Sequence, residues 1–156
     1  MSDEIFMSLA IKKALKGVKK GQAPFGACII KNNKVISCEH STVLKDTNII
    51  SHAEMNAIKK ACKKLKSINL KDCIIYSTVE PCPMCFSAIH WAKISKIIYG
   101  ASENDAKKAG FNELMIHDKK LKSLGRLKIK IVSNFMKKEC LEPFKAWKKR
   151  KNKRIY

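Results

Sequence analysis

Arginine is nearly missing from this 156-residue chain although positive charge is not. Of 33 Lys and Arg residues only Arg126, Arg150 and Arg154 carry a guanidinium, against 13 acidic residues, for a net charge of +20. Specific recognition of phosphates and base edges favours the planar guanidinium fork over a hydrated ammonium. The charge therefore reads first as lysine filling solvated positions, and only second as a nucleic-acid surface. Long apolar runs are also lacking. Stretches such as Phe25–Ile30 end in Lys or Asn after a handful of residues, far short of the roughly 20 that span a bilayer. Asp3 and Glu4 stand where a secretory leader would carry basic residues, so a soluble, cytoplasmic protein is expected. No repeat and no interior linker interrupts the sequence, and its one biased segment is Lys148–Arg154, six of seven residues basic. The seven cysteines, at 28, 38, 62, 73, 82, 85 and 140, are odd in number and scattered through apolar segments. That argues against a disulfide framework and for reduced core thiols. Only Cys82 and Cys85 have the spacing of metal ligands.

The length suits one domain around one core. From Asp3 to Lys20, Phe6, Leu9, Ala10, Ala14 and Val18 share one face opposite lysines, which predicts an amphipathic helix ended by Gly21. Phe25–Ile30 and Val35–His40 flank Lys31-Asn32-Asn33-Lys34 and predict a hairpin with asparagine in the turn. A polar loop, Ser41–Ser51, leads to a helix from His52 through Leu65, and Cys73–Thr78 reads as a third strand. Pro81 is expected to open a helix to about Trp91, followed by strands at Ile94–Gly100 and Arg126–Val132 and a last helix from Phe135 to about Lys151 containing Pro143. Strands alternating with helices after an opening hairpin describe a three-layer α/β/α sandwich with a mixed five-stranded sheet.

Two helix starts carry chemistry. Ser51-His52-Ala53-Glu54 has the spacing of a capping box, and Pro81 of Glu80-Pro81-Cys82-Pro83-Met84-Cys85 sits where a first helical turn tolerates proline. Capping does not explain an imidazole and two thiols at equivalent places on successive helices. A zinc ion does: Cys82 and Cys85 lie three apart on one helix face, and His52 adds a nitrogen ligand from the other helix. Three protein ligands leave a fourth tetrahedral position for water, the arrangement of a catalytic site, with Glu54 as a free carboxylate to handle its protons. His-x-Glu followed some 30 residues later by Pro-Cys-x-x-Cys is the signature of zinc-dependent nucleobase deaminases.

The resemblance extends along the chain. Pro24-Phe25-Gly26-Ala27, the segment from Glu80 to Cys85 with Ala88-Ile89 and Trp91-Ala92, the Ala109-Gly110-Phe111 turn, and the tail from Pro143-Phe144 through Ala146-Trp147 to Tyr156 resemble the bacterial guanine deaminases of the cytidine deaminase-like superfamily. That resemblance implies a cytidine deaminase-like fold over residues 1–156, one Zn²⁺ per subunit, and hydrolysis of guanine to xanthine. It further implies a homodimer in which a C-terminal segment, about 135–156, crosses between subunits so that Tyr156 caps the partner's site. Phe25 and Trp91 would line the base pocket, the Ala53 backbone would contact the base, and Glu113 would read a ring N–H. His40-Ser41-Thr42 and Asn48-Ile49-Ile50 depart from the family, which carries a base-contacting asparagine in that first stretch and an Asp-Pro-Thr-like lead in the second. A tRNA adenosine deaminase shares the zinc motif and would give the positive charge a purpose. A basic nucleic-acid-binding module with a structural zinc would need a fourth ligand, for which His40, His90 and His117 are the nitrogen candidates.

Overall fold

The computed structural model describes residues 2–156. Helix α1 (Asp3–Lys19) is followed by β1 (Gly26–Lys31), β2 (Lys34–His40), α2 (Val43–Asp46), α3 (Ala53–Leu65), β3 (Cys73–Val79), α4 (Pro83–Trp91) and β4 (Lys96–Ala101). The chain then forms α5 (Glu103–Lys108), α6 (Asp118–Leu124), β5 (Lys130–Val132), α7 (Lys137–Cys140) and α8 (Glu142–Lys148). The five strands make one sheet in the order β2-β1-β3-β4-β5, antiparallel in the first two pairings and parallel in the last two. This is the expected mixed sheet of an α/β/α sandwich. Among the described residues no helix is long and apolar enough to cross a membrane.

Strand alternation divides the core between two layers. Cys28, Ile30, Tyr76 and Ile98 pack with Phe6 and Met7 of α1 and with Phe144 and Trp147 of α8. Ala27, Ile29, Ile75 and Ile97 face the other way, against Ala53, Ala57 and Ala61 of α3 and Phe86 and Ile89 of α4. Gly26 lets α1 lie this close to β1, because a Cβ there would come within 2.2 Å of the Ala10 carbonyl oxygen. Asn32 and Asn33 turn the hairpin at φ 47° and 61°, left-handed values that asparagine tolerates and a two-residue turn requires.

Several expectations need correction. The C-terminal helix is two short ones that meet at Leu141, because Pro143 brings no N–H and its ring collides with the carbonyl four residues earlier. Strand β5 starts four residues later than expected, since Arg126 is left-handed at φ 51° and cannot lie in a strand. Helices α5 and α6 fall in a stretch where no element was foreseen; Ser102 and Asp105 cap α5 reciprocally. Helix α4 begins at Pro83, so Pro83 and not Pro81 occupies the first helical position. Cys28 and Cys38 are not separate thiols either. They face each other across β1 and β2 and are joined by a disulfide, whereas Cys62, Cys73, Cys82, Cys85 and Cys140 are free.

Candidate active site

Two helix N-termini converge beside the end of β3. His52 is the residue before α3 and Cys82 the residue before α4, both in extended conformation, and Cys85 sits in the first turn of α4. The capping box expected from Ser51 and Glu54 does not form: His52 holds the cap position without a side-chain cap bond. Instead, Nδ1 of His52 lies 3.7 Å from Cys82 Sγ and 3.6 Å from Cys85 Sγ, and the three donor atoms all fall within 4.8 Å of one another. A tetrahedral zinc with bonds of about 2.0–2.1 Å to nitrogen and about 2.3 Å to sulfur needs those ligands roughly 3.6 Å apart. The donor set therefore fits zinc in both chemistry and spacing, with three protein donors for four positions.

Glu54 stands beside this set, 5% exposed. Its Oε1 accepts a 2.7 Å hydrogen bond from Ser77 Oγ, and its Oε2 lies 3.5 Å from Cys85 Sγ. Burial raises the pKa of Glu54 above the ordinary carboxylate value, against the smaller opposing effects of His52 and the Ser77 bond. The two thiols are polarised in opposite directions. Hydrogen bonding from Cys85 brings Cys82 down to about 4, while Cys85, donating that bond and deeply buried, is raised. Burial works against the imidazolium of His52, but hydrogen bonding to Cys82 and the charges of Glu54, Cys82 and Glu113 outweigh it and raise the pKa.

His52, Glu54 and Cys82 line one end of a cavity of about 340 Å³. Phe25, Val79, Pro83, Met84, Phe111 and Tyr156 give it apolar walls, Glu80, Asn112 and Glu113 add polar ones, and Ile49 and Leu114 complete the lining. Phe25 meets Phe111 edge to face at 4.8 Å between ring centres, and Tyr156 stands 5.9 Å from the His52 ring and 5.8 Å from Phe111. Burial, and next the charge of Cys82, push Glu113 up to about 7.

Phe25, Glu113 and Tyr156 are thus brought to the site with His52, Glu54, Cys82 and Cys85. Ala53 is buried as the first residue of α3. Trp91 is not brought there. It ends α4, is 79% exposed and stacks edge-on against His90, because six residues past Cys85 a helix has advanced about 9 Å and turned the side chain away. Tyr156 lies in the cavity of its own chain, its hydroxyl 3.0 Å from Ser41 Oγ, where the resemblance implied exchange with a partner. Ser41 is fully buried at this spot. Sequence reasoning missed Ser77, Ser41 and Asn56, whose amide ties His40 O, Thr42 Oγ1 and Ser51 O together under the loop before His52.

The family model for the cytidine and deoxycytidylate deaminase zinc-binding region matches residues 1–101. Over 157 aligned residues the chain is 38% identical to the guanine deaminase of Bacillus subtilis (strain 168), covering 100% of both proteins. The tRNA-specific adenosine deaminase of the same organism is 32% identical over 138 residues, 88% of this chain and 83% of that protein. The X-ray structure of Bacillus subtilis guanine deaminase superposes with a TM-score of 0.70 at 36% identity, covering 100% of this chain and 99% of that one.

Proposed function

The chain belongs to the cytidine and deoxycytidylate deaminase zinc-binding family and is a zinc-dependent deaminase; from that premise we propose that its substrate is guanine, converted with water to xanthine and ammonia. His52, Cys82 and Cys85 are the zinc ligands in this reading, Glu54 is the catalytic carboxyl, and Phe25, Glu113 and Tyr156 bind the base. Zinc at this position supplies the nucleophile by lowering the pKa of a water molecule toward about 7.

The protein's own groups do the rest. Glu54 takes a proton from the nucleophile and hands it to the ring nitrogen beside the carbon that bears the amine. It then carries the second proton to the departing amine, so that ammonia leaves. Ser77 keeps the carboxyl in one orientation by its bond to Oε1, leaving Oε2 to face the reacting atoms. The aromatic walls take the flat faces of a purine and keep bulk water from the exchange. Glu113, when ionised, accepts a ring N–H.

The observation that carries guanine over a larger substrate is the position of Tyr156. The last residue of the chain lines the cavity, bonded to Ser41, over the same space that a nucleotide attached to a polynucleotide would have to enter. The likeness to tRNA-specific adenosine deaminases favours a second reading, in which the tail moves aside for an anticodon loop. Zinc-loaded protein incubated with guanine, guanosine, adenine, cytosine, ammeline or a tRNA anticodon stem separates the two. Ammonia release from guanine is expected; release from the tRNA alone would put the second reading in its place.

A further inference from the structure

Acidic residues are scarce in this chain, yet Glu54, Glu80, Glu103, Glu113 and Asp118, five of the 13, gather on and behind one wall of the cavity. Three of them form a second group that the deamination chemistry does not use. Glu80 anchors it: Oε1 accepts the Asp118 backbone N–H at 3.1 Å, Oε2 accepts that of Glu103 at 3.5 Å, and His117 Nδ1 lies 3.3 Å from Oε2. His117 Nδ1 also lies 2.7 Å from Glu103 Oε1.

The group is short of partners. Glu103 is 1% exposed and Asp118 0%, and among the described residues neither oxygen of either carboxyl receives a hydrogen bond. The approach of His117 to Glu103 is close but out of line for N–H donation. Among the described residues no lysine or arginine pairs with Glu80, Glu103 or Asp118, and only His117 approaches the first two. A buried carboxylate left in this state is destabilising unless a proton or a cation joins it.

We propose that Glu80, Glu103 and His117, with Asp118 behind them, form a second metal site that takes a divalent cation of the manganese class. One carboxylate oxygen each of Glu80 and Glu103 and a ring nitrogen of His117 lie within 4.8 Å of one another. Ligands held at about 2.1 Å stand roughly 3.0 Å apart in an octahedron and 3.4 Å in a tetrahedron, and the observed contacts of 2.7 and 3.3 Å bracket the octahedral value. Carboxylates with one imidazole suit manganese or iron, whereas the thiolate set at Cys82 and Cys85 selects zinc. His117, with 49% of its side chain exposed, gives the group access to solvent on the side away from the cavity that Glu80 lines.

The site would brace the cavity. Glu103 starts α5 and Asp118 starts α6, and the segment between these helices carries Phe111, Asn112, Glu113 and Leu114 of the lining. A cation across the two helix starts fixes both ends of that wall, independently of which base the cavity binds.

The test uses the zinc-loaded full chain, equilibrated with Mn²⁺ and freed of excess by gel filtration, with both metals counted by atomic emission and Mn²⁺ followed by electron paramagnetic resonance. The expected result is about one manganese beside one zinc per chain, with a higher melting temperature in Mn²⁺. His117→Ala, at an exposed position, should keep the fold and the zinc but lose the manganese, and Glu103→Gln should do the same. Zinc-loaded protein that retains no manganese would overturn the proposal, leaving protons as the compensating charge. So would His117→Ala and Glu103→Gln variants that retain manganese as the parent does.

Discussion

Ser77 and Glu54 meet across the strand-to-helix interface, the Ser77 hydroxyl donating to Glu54 Oε1 at 2.7 Å with both residues buried. β3 supplies the serine on the face that packs against α3, and α3 supplies the carboxyl from its first turn. Glu54 is thereby held beside the His52, Cys82 and Cys85 donors without being one of them. Replacing it should separate metal from rate. Glu54→Gln is expected to keep zinc at the parent level and lose about 10²- to 10⁴-fold in kcat, read by metal analysis and ammonia release on the same sample. A variant with parental turnover would remove Glu54 from the proton path.

The serine itself can be tested more gently. Ser77→Ala takes away one orienting bond and leaves a buried carboxyl oxygen without its donor, worth about 1–2 kcal/mol. The expected effect is a fall in kcat of roughly tenfold with KM and zinc content unchanged. A change in KM alone would mean that Ser77 acts on the base and not on Glu54.

Ligand substitutions behave differently because the metal also joins two helix starts. Cys82→Ala should lose zinc, and with it the link between α3 and α4. Its melting temperature should drop by roughly 10 °C, since each kcal/mol moves a chain of this size by about 2–4 °C. Calorimetry with and without added zinc checks this, because the parent should respond to the metal and the variant should not.

The zinc-binding motif was legible in the sequence because its parts lie within four residues of each other at two helix starts, where spacing alone makes them neighbours. What was hidden depends on contacts between distant segments. Ser77 reaches Glu54 from 23 residues away, Tyr156 reaches Ser41 from 115, and Asp118 reaches Glu80 from 38. The Cys28–Cys38 pairing turns on a single irregularity. The hairpin register pairs Ile30 with Val35 and then skips to Ile29 with Ser37. Without that bulge Cys28 would face Ser37 and the two sulfurs would lie on opposite faces. Trp91 was misplaced for the opposite reason: a motif suggested nearness to the site, and helix phase carried the side chain outward. Pro143 was visible inside the last helix, yet whether a proline kinks a helix or divides it depends on what packs beneath, here Phe144 and Trp147 in the core.

Glu113 gives the site a pH dependence with a definite sign. Its pKa is raised to about 7, first by burial and then by the charge of Cys82, so it is neutral below that pH and ionised above it. Only the ionised form accepts a ring N–H on either oxygen. kcat/KM for guanine should therefore climb as pH rises through about 7, and Glu113→Gln should be less active and lack that limb. A Gln variant with the parental profile would assign the titration to another group.

The tail offers the sharpest test of how the cavity is closed. After Trp147 the chain is lysine, arginine and asparagine until Ile155 and Tyr156. An apolar pair ending such a segment lowers the free energy only by packing somewhere. The Tyr156 ring does so between His52 and Phe111, its carbonyl oxygen 3.5 Å from the Asn112 amide, and burial raises the pKa of its hydroxyl beside Ser41. Removing Ile155 and Tyr156 should cost about 10²-fold in activity by opening the cavity and loosening the base, with zinc content and secondary structure kept. Tyr156→Phe, which keeps the ring and gives up the Ser41 bond, should stay within about tenfold of the parent. Mixing the truncated chain with Glu54→Gln then asks whose tail closes which site. A tail that closes its own cavity leaves the mixture as inactive as its parts, because no site combines an intact Glu54 with an intact tail. That is the expected outcome from the position of Tyr156. Activity recovered on mixing would instead show tails exchanged between subunits, and full activity in the truncated chain alone would strip Tyr156 of its role.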